Sequence, residues 1–218
     1  MQFVDDLRAE HEQIEAVLGA LLTFVARRLR GEAAPADGGR FVRFLRGYAG
    51  AHHHHREEVV LFPVLRERLQ LPEGRGPLGA LIAQHRSLEA TLDALAPLLE
   101  GTLEGPGERE ALEALATRYT RGLWAHIDAE SSVLLPESEA RLVRKGVQEL
   151  PDVPLSAEHA ALRDDGEALC VTYPPTIDHG ALRGDGCVIC PSYGVDCDGL
   201  EREWWNELEW SEFFERDD

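Results

Sequence analysis

A chain of 218 residues with 44% hydrophobic content is long enough to bury one substantial core, and no apolar run reaches the roughly 18 residues that suggest a membrane span. Its 40 acidic against 22 basic residues leave a formal charge of −18, which repels phosphate backbones and argues against nucleic acid as a partner. The acidic opening MQFVDDLRAEHEQ reads as neither a secretory signal nor an anchor, so a cytoplasmic protein is expected.

From Val4 to Leu29, apolar residues recur at Val4, Leu7, Ile14, Leu18, Leu21, Leu22, Val25 and Leu29, the spacing of an amphipathic helix, with His11 inside the seam. GEAAPADGG (31–39) breaks the pattern with Pro and Gly, and a second periodic stretch runs from about Phe41 to Leu69. After LPEGRGP a third helix begins near Leu78, carrying Leu81, Ile82, Leu88, Leu92 and Leu95 with His85 among them. Pro97, which lacks an amide donor, is expected to kink or end it. After GTLEGPG a fourth helix carries Leu112, Leu115, Tyr119, Leu123 and Val133, with His126 on the same stripe. Four long helices joined by short breakers predict an all-α, antiparallel up-down four-helix bundle over residues 1–146.

Residues 147–218 are rich in Pro, Gly and Asp and read as an irregular C-terminal extension. His159, in LSAEHAAL, echoes AEHEQI, but DDG follows in place of a continuing helix, so it is not assigned to a site. Cys187 and Cys190 have the two-residue gap of a zinc knuckle, followed by Cys197, with Cys170 or His179 as a fourth ligand; the second close pair of a zinc pattern is missing. A structural zinc, a disulfide and unpaired thiols all remain open there. The end of the chain, from 196 to 218, holds ten acids, two arginines and the rings of Trp204, Trp205, Trp210, Phe213 and Phe214. Such an apolar cluster is expected to dock on the bundle, on a second copy in a homodimer, or on a protein partner.

The two halves of the bundle resemble each other. AEHEQIEAVL (9–18) and AQHRSLEATL (83–92) pair His11 with His85 and Glu15 with Glu89. HHHREEVVLFP (53–63) and HIDAESSVLLP (126–136) share a His, a Glu four residues on and a Pro ten residues on, so a helix pair is duplicated. Residues four apart share a helix face, which aims His53 with Glu57, and His126 with Glu130, at one spot. His11 and His85 add two imidazoles, and this mixture suits iron or manganese, and zinc less exclusively. Glu57 and Glu130 are placed to bridge two metals. Burying several imidazoles and carboxylates without a metal would be costly.

In AHHHHREEVVLFP (51–63), successive helical residues step by about 100°, so four histidines cannot all face the core. Periodicity alone leaves two stripes open, one through His53 and Glu57 and one through His55 and Glu58. Counting back from the proline, as in the fourth helix, selects His53. His54 with Glu58 has the right internal spacing but is one residue out of register. His53→Ala is therefore expected to lose metal, and His54→Ala largely to keep it.

At these residues the chain resembles the haemerythrin-like, or HHE cation-binding, family: His11; HHHREEVVLFP; His85; HIDAESSVLLP. Four motifs in the right order over about residues 1–145 carry the resemblance, which implies a non-haem di-iron four-helix bundle. The implied terminal ligands are His11, His53, His85 and His126, with Glu57 and Glu130 bridging. Ser131 and Leu135 depart from the family's Glu and Phe without touching those ligands. Oxygen-carrying members place a further His four residues before the third-helix one; this chain has Leu81 there, which points away from dedicated oxygen carriage. Glu15, Glu89, His54 and Glu58 are candidates for additional ligands or for orienting the histidines. The implied function is binding of, or reaction with, oxygen, peroxide or nitric oxide. Its rivals are a di-iron oxidoreductase acting on peroxide or nitric oxide, a sensor of iron or oxygen signalling through the residues after 150, and an interaction bundle that uses metal only for stability.

Overall fold

The seam read in the first helix is the buried face of α1 (Gln2–Leu29), where Val4, Leu7, Ile14, Leu18, Leu21 and Phe24 lose all solvent contact. The computed structural model describes residues 1–74, 76–151 and 153–176. His179, Cys187, Cys190, Cys197 and the tail aromatics lie outside the described residues, so the expectations placed on them are not addressed by the fold. Among the described residues every regular element is helical.

The second rod starts earlier than the breaker GEAAPADGG suggests. α2 (Pro35–Arg43) begins at Pro35, whose fixed φ suits a first helical turn. Gly38 does not break it, because it lies where α2 passes the third helix: a Cβ there would come 1.9 Å from the Leu99 carbonyl oxygen. The rod continues through π-helical turns at Phe44–His54 and Glu57–Leu61 and ends in α3 (Phe62–Leu69). α4 (Gly76–Glu100) passes through Pro97 and stops at Glu100. The fourth rod comprises α5 (Pro106–Ala129), a π-helical turn at Glu130–Leu134 and α6 (Leu135–Arg144).

Two apolar clusters show how the rods run. One gathers Val4 and Leu7 from the start of α1, Leu61 and Leu65 from the end of the second rod, Leu78 and Leu81 from the start of α4, and Leu134 and Leu142 from the end of the fourth. The other gathers the opposite ends, including Leu21 and Phe24, Phe41 and Phe44, Leu95 and Leu99, and Leu112 and Ala116. The four rods therefore alternate in direction, as short connections require. His11, His53, His85 and His126 fall between the two clusters along their rods, so a polar layer divides the core.

The extension is not wholly irregular. α7 (Ala157–Thr172) runs straight through DDG. Ser156 caps it, its side chain accepting the His159 backbone N–H at 3.1 Å. Gly166 allows close docking on the bundle, since a Cβ there would come 2.5 Å from a Phe44 ring carbon. The helix is fixed by tertiary contacts: Leu169 is fully buried, and Asp165 accepts from Arg40 Nε at 2.9 Å. Tyr173, just beyond it, donates its hydroxyl to Asp37 at 2.6 Å and packs edge-on against Phe24. No described helix is long and apolar enough to cross a membrane.

Candidate metal centre

Each rod carries its part of the site into the polar layer. His11 comes from α1, His53 and Glu57 from the π-helical part of the second rod, His85 from α4, and His126 and Glu130 from the fourth. All six are buried. Glu57 Oε1 lies 3.5 Å from His53 Nε2 and 3.9 Å from His11 Nε2, while its Oε2 lies 3.5 Å from His85 Nε2. Glu130 Oε2 lies 3.4 Å from both His11 Nε2 and His126 Nε2. These residues form two overlapping sets, His11, His53, Glu57, Glu130 and Glu57, His85, His126, Glu130, each offering ligand atoms within 4.8 Å of one another. Both carboxylates belong to both sets, as a bridging role requires.

The outer hydrogen bonds aim the imidazoles inward. His53 Nδ1 meets Glu10 at 2.8 Å, and His126 Nδ1 meets Gln84 at 2.9 Å. His85 Nδ1 meets Glu58 at 2.7 Å, and His11 Nδ1 meets Ser131 Oγ at 2.8 Å. With Nδ1–H donating outward, each Nε2 keeps its lone pair for the interior, the tautomer a metal ligand needs. The pattern follows the duplication. Glu10 and Gln84 each precede the first histidine of their half and hold the second; Glu58 and Ser131 each follow a shared carboxylate and hold the first histidine of the other half.

Electrostatics at the centre demand a cation or protons. His11 and His53 Nε2 and both oxygens of Glu57 and of Glu130 are buried with no hydrogen-bond partner, a cost native proteins rarely tolerate without a ligand. Burial, reinforced by the charge of Glu57, pushes Glu130 up to about 8. Burial opposes charge on His11, but Glu130 and Glu57 outweigh it and lift His11 to about 9. Glu57 moves the other way: despite burial, His53, His11 and His85 hold it well below the usual carboxylate range. An inward set of imidazole nitrogens and carboxylate oxygens, with no thiolate, fits one or more divalent cations.

The sequence as a whole agrees with this geometry. It matches the family described as Hemerythrin HHE cation binding domain over residues 2–138. The chain belongs to the haemerythrin HHE family. No curated protein and no solved structure matches it. A cation-binding family is consistent with the buried imidazoles and carboxylates, a cluster that could hold a metal ion and that contains the six residues singled out in the sequence.

The other candidates of this HHE domain divide. Glu58 orients His85. Glu15 and Glu89 join neither ligand set, and Glu89 is exposed. Cys170 is half-buried on α7 and forms no disulfide with a described residue. His159, read as unrelated to the site, packs its ring 5.0 Å from that of His52, which contacts Glu10 at 3.2 Å. Treating His53 and His54 as alternatives assumed α-helical steps. The π-helical turn takes more residues per revolution, so neighbours are separated by a smaller angle, and His52 and His53 are buried, as is His54 Nε2. Glu10, Gln84 and Ser131, hydrogen-bonded to the candidate ligands, are residues that spacing missed. A groove of about 370 Å³ between the second rod and α4 reaches the site's edge, lined by Leu45, Gly50, His54, Glu58, His85 and Tyr119.

Proposed function

We propose that this HHE domain holds two iron ions and uses them to bind or react with a small ligand such as oxygen, peroxide or nitric oxide. The observation that carries the reading is the pair of buried ligand sets sharing Glu57 and Glu130. His11 and His53 would serve one position, His85 and His126 the other, with the two carboxylates common to both. A bound iron pair supplies redox and small-ligand chemistry that side chains alone lack. The protein's own contribution is to fix the imidazoles through Glu10, Gln84, Glu58 and Ser131, and to exclude bulk water from the carboxylates. The groove at His54 and His85 leaves one approach for a small molecule. Metal content per purified chain, measured together with the visible spectrum in air and under argon, tests the proposal. About two irons and an oxygen-dependent absorption are expected; one zinc and a colourless solution would overturn it.

A contact chain favours a second reading, in which the centre is sensed by the C-terminal region. His53 contacts Glu10, Glu10 contacts His52, and the His52 ring meets His159 on α7. A change in how His53 is held therefore has a short route to α7. Limited proteolysis of the region after 150, with and without iron and oxygen, separates the readings, since an unchanged cleavage pattern counts against sensing.

A further inference from the structure

A third group overlaps the second ligand set at His85 and His126 and carries an imidazole that the duplication does not explain. One ligand atom each from His54, His85 and His126 lies within 4.8 Å of the others. The His54 ring stacks on His85 at 4.1 Å and 13°, and meets His126 edge-on at 5.5 Å. His85 Nε2 and His126 Nε2 approach to 3.0 Å. His54 Nε2 is buried with no hydrogen-bond partner, so three ring nitrogens converge where a neutral core would have left packing or a donor–acceptor pair. In the aligned half the counterpart of His54 is Ile127, fully committed to the apolar core. Among the described residues no further imidazole joins the set on the other side of the site. On α4, the turn before His85 offers Leu81, which is buried in the other apolar cluster.

We propose that His54 is a third imidazole ligand of the metal position formed by His85, His126, Glu57 and Glu130, delivered from the second rod by its π-helical turn. The assignment rests on the two-metal reading above. It makes the two positions unequal, with two imidazoles at one and three at the other. It also replaces the expectation that His54→Ala largely keeps its metal, which treated His53 and His54 as mutually exclusive.

The test is a titration of the full metal-free chain with cobalt(II) alone, followed by its visible ligand-field spectrum, which reports how many nitrogen ligands surround each ion. The unaltered chain should take two equivalents. His54→Phe keeps a ring to stack on His85 but offers no nitrogen. It should bind the first equivalent unchanged and the second at least about tenfold more weakly. His54→Ala opens space beside the groove, so free imidazole should restore the second equivalent there and not in His54→Phe. His55→Ala, at an exposed neighbour, should match the unaltered chain. A second equivalent bound equally well by His54→Phe would overturn the assignment while leaving the two-metal reading standing. An unaltered chain that takes fewer than two equivalents would overturn the two-metal reading, and this assignment with it. If His54→Phe loses its helical circular dichroism, His54→Ala decides, and no recovery on adding imidazole overturns the proposal.

Discussion

At Glu10 one buried carboxylate contacts His52 and His53 and accepts from the Arg56 guanidinium. Burial works against ionisation there, yet His52, His53 and Arg56 outweigh it and hold the carboxyl at about 2, against an ordinary value of 4.5. Its folded pKa is depressed, so the stability it contributes is complete above about 4.5 and is lost as pH falls toward 2. Glu10→Gln should flatten that acid limb in a plot of urea midpoint against pH. Because Glu10 also orients His53, the same variant should weaken metal binding by about 10–100-fold with helix content unchanged. His53→Ala, which removes a ligand outright, should lose metal from its position altogether, as metal analysis after gel filtration would show. The candidate ligands His11, His53, His85 and His126 were legible in the sequence because each recurs at a matched place in the duplication, which His54 does not. Glu10, Gln84 and Ser131 were not, since a polar residue beside a helical histidine looks the same whether it faces water or a ring nitrogen. The signal was there in the alignment, where Glu10 and Gln84 precede matched histidines and Glu58 and Ser131 follow matched carboxylates.

The elements show where one-dimensional patterns mislead. The four rods were visible from apolar spacing, but the π-helical turns at Phe44–His54, Glu57–Leu61 and Glu130–Leu134 leave no trace in a hydrophobic count. They occur at the segments that carry His53, Glu57 and Glu130, as such turns often do at functional sites. Glycine caused the two boundary errors. Gly38 and Gly166 sit inside helices because a partner element comes too close for a Cβ, a property of the fold that local propensity does not encode. Gly166→Leu should therefore push α7 away from Phe44, costing about 1–3 kcal/mol by overpacking. Faster trypsin cleavage at Arg163, with the metal content of the bundle retained, is the expected result.

At the scale of the whole molecule, two groups of the centre hold protons that a bound cation would displace. Glu130 and His11 both titrate above their ordinary values, near 8 and 9. Groups raised in this way stabilise the metal-free fold at low pH and stop doing so as pH climbs through those values. The contribution of these two groups should thus fall from about pH 4.5 for Glu130 and 6.5 for His11 and be lost by about 8 and 9, a loss that the iron-loaded protein, its ligands already deprotonated, should not show. Loading at pH 7 should release protons, measurable with an indicator dye in weak buffer. At a free iron level about 100 times the Kd, each occupied site should add about 2.7 kcal/mol, seen as a higher Tm that a chelator reverses. The division of the core into two apolar clusters around a polar layer gives this coupling its direction. Each ligand set takes a carboxylate from the opposite helical hairpin, so neither hairpin can close a set alone. An ion pair in that layer would act as a rivet through two plates: chelation would leave each hairpin wound but free the seam between them to slide.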